Sequence, residues 1–144
     1  MSERRRALGE ALDGQSRSTP LDGRRRLAPR PAGFERDSVE VIDHDAGRHI
    51  ATLPGFPEAA GVVADDGHVL VTNRGAATLA WVHAQTLETR TILKTGPRPN
   101  GVAIVSRQGL AIAACIGDDS HGPTLHVLSL DGNRGYSIDL PGRW

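Results

Sequence analysis

The sequence predicts an all-β chain assembled from a repeated four-strand unit. Three observations carry this prediction. Short runs of β-branched and aliphatic residues alternate with Gly, Pro, Asn and Asp turns along most of the 144 residues. Pieces of sequence recur in the same order at a spacing of about 40 to 46 residues. Four apolar runs fall within each period, which is the content of one blade of a β-propeller. The expected architecture is a partial β-propeller of about two and a half four-stranded antiparallel blades behind a disordered N-terminal tail.

The clearest unit begins at Val69-Leu70-Val71-Thr72-Asn73, a run suited to a buried strand. Asn73-Arg74-Gly75 breaks it, since Asn and Gly accept the left-handed backbone of a tight turn. Leu79, Trp81 and Val82 form the next run, and a Thr- and Ile-rich strand spans 89–93. Gly96-Pro97-Arg98-Pro99-Asn100-Gly101 interrupts again, because proline lacks the N–H a sheet ladder needs. Val102-Ala103-Ile104-Val105 then restarts the pattern. Residues 41–53 match 81–93, and 55–63 match 96–103. Residues 65–71, opening on Asp65-Asp66-Gly67, match 107–113, and 124–131 match 78–85. The expected division is a half blade over 38–53, then blades over about 61–94 and 101–140.

Charge is balanced over the whole chain but not along it. Residues 1–37 hold nine arginines against six acids, with two Arg triplets, three prolines and few large apolar residues. Such a stretch cannot bury enough apolar surface to offset its ordering entropy, and a solvated tail is expected. A short helix capped by Ser2 and running to Leu12 is the local exception. A nucleic-acid-binding arm is the sharper alternative for the Arg triplets, but acids interrupt them and no aromatics are interleaved. No apolar core follows either triplet as a secretion signal requires, which makes a cytoplasmic location the default expectation. No run reaches membrane-spanning length. The single cysteine, Cys115, excludes an intrachain disulfide and a Cys-based zinc cluster, and reads as a small buried hydrophobe.

In a blade whose strands run from the centre outward, two sets of loops open on one face. That places Asn73-Arg74, the Gly96–Asn100 loop and Gly117-Asp118-Asp119-Ser120-His121 together. Loops carry function more often than the scaffold does. Asn73, Arg74, Arg98, Asn100, Asp118, Asp119 and His121 are therefore the candidate ligand-binding residues. Arg74 and Arg98 read as following equivalent strand ends, where they could flank one anionic ligand. Asp118, Asp119 and His121 offer oxygen and imidazole ligands, but their spacing belongs to no dedicated metal motif, and a solvated turn is the expectation. His44, His49, His68 and His83 fall at turns or strand ends and read as surface residues. There is no Gly-x-Ser-x-Gly elbow, phosphate loop or His-Glu-x-x-His, and neither a catalytic residue nor a cofactor is expected.

Val69-Leu70-Val71-Thr72-Asn73 resembles the core of the YVTN β-propeller repeat, with Leu70 where the motif has Tyr. Arg74-Gly75-Ala76-Ala77-Thr78-Leu79 resembles the turn and strand that follow it. Val41-Ile42-Asp43 resembles a strand end of that family, and Pro99-Asn100-Gly101-Val102-Ala103 its entry to the innermost strand. The resemblance covers roughly residues 38–140 and implies a YncE-like or surface-layer-type propeller. In that family the loop face meets small-molecule, protein or nucleic-acid ligands, and relatives are often exported. A non-catalytic binding or scaffold role follows, with the chain expected to be a truncated fragment of a longer propeller. The alternatives are a lactonase-type propeller similar to 6-phosphogluconolactonase-like proteins, which Asn73-Arg74-Gly75 and Pro97-Arg98 fit loosely, and a non-functional gene fragment. Further blades, or further copies, are expected to complete the ring, because an open stack leaves sheet edges and faces uncovered.

Overall fold

A computed structural model describes residues 19–20, 25–29, 37–65 and 67–142. Among the described residues, twelve strands form three antiparallel four-stranded sheets taken in chain order. The first holds β1 (Thr19–Pro20), β2 (Arg25–Pro29), β3 (Ser38–Asp43) and β4 (Arg48–Pro54). The second holds β5 (Ala59–Asp65), β6 (His68–Asn73), β7 (Thr78–His83) and β8 (Thr89–Lys94). The third holds β9 (Pro99–Val105), β10 (Leu110–Cys115), β11 (Thr124–Ser129) and β12 (Gly135–Asp139). A 3-10 turn, Ser106–Gln108, joins β9 to β10.

Each sheet meets the next in the same way. β5 lies against β9, and β1 lies against β5, so the first strands of successive sheets are neighbours. The second strands follow suit, β6 against β9 and β2 against β5. Three sheets repeating one contact are three blades of an incomplete propeller. The second and third blades span Ala59–Lys94 and Pro99–Asp139. The first is fuller than the half blade expected over 38–53. Its two inner strands come from the stretch expected to be a tail, with Leu27 in register with Val41 and Ala28 with Glu40. Pairing β2 to β3 gives the β3 edge backbone partners it would otherwise lack. The signal was weak because Arg25-Arg26-Leu27-Ala28-Pro29 holds few apolar residues. The helix expected over 2–12, the Arg4-Arg5-Arg6 triplet and Asp66 of the Asp65-Asp66-Gly67 turn lie outside the described residues.

Two apolar seams lie between the blades. Val39, Val41, Phe56, Val69, Val71, Ala80 and Val82 fill the first. Leu70, Leu79, Leu93, Ala111 and Leu130 fill the second, with Trp81 partly buried against them. The middle blade is covered on both faces. That is why Val69-Leu70-Val71 reads as an unbroken apolar run and not as an alternation: all three are fully buried. Each such side chain contributes about 1.5–3 kcal/mol of burial, so the seams outweigh any single hydrogen bond at about 1 kcal/mol.

A hydrogen bond sets how closely the blades approach. Thr72 Oγ1 accepts from the Gly61 N–H at 2.7 Å and donates to the Asn100 carbonyl at 3.0 Å. It thereby ties β5, β6 and β9 together. Gly61 permits this approach, since a Cβ there would sit 2.3 Å from the Asn100 carbonyl oxygen. Backbone cannot yield as a side-chain tip can. Gly61→Ala is expected to cost about 1–3 kcal/mol through overpacking. Thr72→Val, near-isosteric, should cost about 1 kcal/mol by leaving a part-buried N–H and carbonyl without this partner. Urea denaturation of each variant measures both.

Candidate functional site

The expected loop face exists, and repeated backbone bonds build it. In the middle blade, Arg74 N–H donates to the Glu58 carbonyl at 3.2 Å and Gly75 N–H to the Pro57 carbonyl at 3.1 Å. In the third blade, Ile116 N–H donates to the Arg98 carbonyl at 3.0 Å and Gly117 N–H to the Pro97 carbonyl at 3.1 Å. Each loop leaving a second strand is thus fastened to the link that entered its own blade. A third bond recurs as well. Thr95 N–H donates to the Ala77 carbonyl at 3.0 Å, and Leu140 N–H to the Pro123 carbonyl at 2.9 Å. Because Thr72 bonds the Asn100 carbonyl, the Asn73-Arg74 strand end sits beside the entry to β9. The three expected loops share one rim.

The same pairing corrects one expectation. Arg74 and Arg98 do not occupy equivalent positions. Arg74 is the counterpart of Ile116, and Arg98 is the counterpart of Glu58. The reason is topological: Arg74 leaves a second strand, whereas Arg98 enters a first strand. Arg98 and Glu58 also share a left-handed backbone, with φ of 54° and 47°. Side chains with a Cβ hold that conformation at a cost of about 1–2 kcal/mol. Arg98 is exposed, Arg74 is half-buried, and the Arg74 Nε is buried without a hydrogen-bond partner.

The remaining candidates divide by burial. Asn73 is almost fully buried, and its Nδ2 donates to Thr78 Oγ1 at 3.1 Å across the β6–β7 turn. Asn100 contributes its carbonyl to Thr72 and is itself exposed. Asp118, Asp119 and His121 are exposed. The Asp118 Oδ1 accepts the N–H groups of Ser120 and His121 at 2.9 and 2.8 Å, and it lies 2.9 Å from His121 Nδ1. This carboxylate oxygen organises its own turn. The His121 side chain first, and then the Ser120 N–H, hold the Asp118 carboxyl below the ordinary carboxylate range. Among the described residues no three His, Cys, Asp or Glu side chains gather as a metal cluster.

Two histidines, His44 and His126, escaped the sequence reading. His44 was expected at the surface but is 2% exposed. It takes the slot that Ala84 and Leu130 fill in the other blades, directly after the third strand. Only the repeat alignment could have shown this, since nothing local distinguishes the residue. His126 and Cys115 lie on the face of the third blade that meets the second. Nε2 of His126 and Oγ1 of Thr124 stand so close to Gly96 that a Cβ there would meet them at 2.6 and 2.8 Å. Burial pushes the Cys115 thiol up and the His126 imidazole down, so both favour their neutral forms.

No protein-family description matches the chain. No curated protein matches it. Solved structures do. It is similar to hydrazine synthase of Kuenenia stuttgartiensis at 16% identity, with a TM-score of 0.68 over 86% of this chain and 37% of that one. It is similar to a streptogramin B lyase at 16% identity, with a TM-score of 0.67 over 88% of this chain and 40% of that one. It is also similar to U3-55K at 11% identity, with a TM-score of 0.69 over 88% of this chain and 37% of that one. These are propeller-type folds, and the fold is what the likeness shows. The chain spans 37–40% of the length of these three. No helix among the described residues is long and apolar enough to cross a membrane.

The geometry predicts how the rim responds to substitution and acid. Arg98→Gly should leave stability within about 0.5 kcal/mol, since relief at positive φ offsets glycine's entropy, whereas Arg98→Val should cost about 1–2 kcal/mol. Thermal melts compare them. The folded Asp118 pKa lies below its unfolded value, so its contribution is present above the ordinary carboxylate range. It is lost as pH falls through the depressed value. Carboxyl-carbon NMR should place the Asp118 midpoint below the ordinary aspartate value, and the Asp118→Asn variant should lose the acid-dependent change in Ser120 and His121 amide shifts.

Proposed function

We propose that the chain is part of a YVTN-type, YncE-like propeller that binds a ligand on its loop face without transforming it. One observation carries the reading: the rim is fastened by the same backbone bonds in consecutive blades, yet it displays different side chains at each repeat position. A fixed frame with variable side chains suits recognition. Arg98 projects from a strained, doubly fastened link, and Arg74 lies at the neighbouring strand end. Guanidinium groups on such a frame favour a ligand that carries an anionic group. Asn73 is almost fully buried with its Nδ2 bound to Thr78, which disfavours a lactonase role for the Asn73-Arg74-Gly75 stretch. The full propeller would be completed by further blades, and ligand identity would depend partly on their loops.

An anion titration and a turnover assay separate binding from catalysis. With citrate as the probe, NMR shifts should concentrate at Arg74, Arg98 and Asn100. Arg98→Ala together with Arg74→Ala should weaken citrate binding by roughly ten-fold, equal to about 1.4 kcal/mol. Hydrolysis of a six-membered sugar lactone should proceed at the buffer rate with either protein. Lactone turnover that Arg98→Ala abolishes would overturn the binding reading in favour of an enzyme.

A further inference from the structure

We infer that the rim end of the second seam is a site for a soft monovalent metal ion of the Cu(I) class, held by the Cys115 sulfur and His126 Nε2. The site lies wholly between the second and third blades and does not rest on the loop-face reading. Strand register brings the two groups together. Cys115 is paired directly with Thr124, and His126 stands two residues further along β11 on the same face. Such diagonal neighbours are about 7–8 Å apart at the backbone, a gap that an imidazole can close. Both side chains arrive at Gly96. A Cβ there would lie 2.6 Å from His126 Nε2 and 2.8 Å from Thr124 Oγ1. The Gly96 N–H and the Thr95 hydroxyl stand beside the Cys115 sulfur.

The first seam shows that the fold does not require this polar cluster. The rim bonds make Glu58 the counterpart of Arg98 and Pro57 that of Pro97, so Phe56 matches Gly96. Asn73 pairs with Thr78 as Cys115 pairs with Thr124, so Ala80 matches His126. In the first seam the link supplies the large side chain, Phe56, and the strand the small one, Ala80, within one apolar cluster. In the second seam the sizes are exchanged. An imidazole in place of a phenyl ring keeps the volume filled but adds two nitrogens. His126 makes no hydrogen bond among the described residues. Thr124 Oγ1 is buried and lacks a nitrogen or oxygen partner. A ring nitrogen, a hydroxyl and a thiol facing one another in a seam carry a desolvation cost that a bound ion would offset.

The number and type of ligands select the ion. Sulfur with imidazole suits soft cations, Cu(I) among them. Zn(II) takes four ligands, and no third His, Cys, Asp or Glu joins this pair among the described residues. A monovalent ion with a filled d shell is satisfied by two. Binding exchanges the thiol proton for the ion: Cys115–SH and M+ give Cys115–S–M, the proton passes to solvent, and no electron moves. His126 contributes the lone pair of its neutral ring, the form that burial favours. Cys115 is 3% exposed, which shields the bound ion from bulky thiols, while half-buried His126 leaves a way in.

Silver nitrate titrated into the full chain tests the site, because Ag(I) shares the chemistry of Cu(I) and needs no reductant. A single silver ion per chain should bind, raise the melting temperature and shift the His126 ring-nitrogen NMR signals. Cys115→Ser should abolish binding. His126→Phe keeps the ring volume and should weaken silver binding roughly ten-fold or more. Gly96→Phe combined with His126→Ala rebuilds the packing of the first seam around Cys115. It keeps the test decisive if His126→Phe fails to fold, and it should melt near the parent yet bind silver as weakly as a protein without the imidazole. Zinc chloride should shift neither the melt nor the His126 signals. Silver bound equally by the parent and by the variants that lack His126 overturns the proposal, because the thiol alone would then be the ligand. A melting temperature lowered by silver overturns it too, since the ion would then prefer the unfolded chain, as does zinc bound as tightly as silver. None of these readouts touches Arg74 or Arg98, so failure here leaves the loop-face reading standing.

Discussion

The close approach of β5 to β9 governs the rest of the molecule. Two strands from different sheets come near enough that one residue must lack a side chain, and Thr72 bridges them from behind. With the first strands in near contact, later strands of each sheet diverge and leave a widening seam. Leu70, Leu79, Leu93 and partly buried Trp81 fill that seam in the order their strands require. Apolar burial supplies most of the energy, while the Gly61–Thr72–Asn100 contact fixes the register at which it is obtained. Apolar side chains alone would tolerate sliding between sheets. A donor and an acceptor held by one hydroxyl do not.

The ends of the blades obey a second rule of the same kind. On the loop face, each outgoing turn bonds the link that precedes its blade. On the opposite face, Ala84 N–H donates to the Gly67 carbonyl and Leu130 N–H to the Gly109 carbonyl, at 3.1 and 2.9 Å. The turns there are closed by side chains of three types at one repeat position. Asp43 Oδ1 accepts the N–H groups of Asp45 and Ala46, His83 Nδ1 those of Gln85 and Thr86, and Ser129 Oγ that of Arg134. The backbone rule is strict and the side-chain rule is loose. That combination lets sequences diverge to low identity while the fold persists.

This explains what could be read from sequence. Strands buried on both faces announce themselves, as Val69-Leu70-Val71 does, because seam positions demand apolar residues. The Gly-Val entry at Gly61 is legible because close approach permits little else there. β1 and β2 were not legible, since Arg25-Arg26-Leu27-Ala28-Pro29 pairs largely through backbone groups that leave no compositional trace. The rim was legible as loops but not in detail. Arg74 and Arg98 each stand next to a strand end, yet only hydrogen-bond partners reveal that one leaves a second strand and the other enters a first. His44 hid for a similar reason: its burial follows from repeat position and not from its own chemistry.

Seam and rim also divide the ionisable groups. Where polar side chains enter the second seam, desolvation drives them toward neutrality: Cys115 remains a thiol and His126 an unprotonated imidazole. On the rim the reverse holds, and hydrogen bonds keep the Asp118 carboxylate charged. A seam can host a neutral His or Cys because burial of an uncharged group costs little once partners are near, whereas a charge would have to be paired. Charged side chains therefore gather on the rim, and the seams are left to hold the blades together. The polar cluster in which Glu40 Oε2 lies 2.6 Å from His49 Nε2 and accepts from Thr52 Oγ1 at 2.7 Å obeys the rim's chemistry although it lies on a sheet face. By that criterion the first blade's outer face is solvent-adapted, while the third blade's outer face has the composition of a seam.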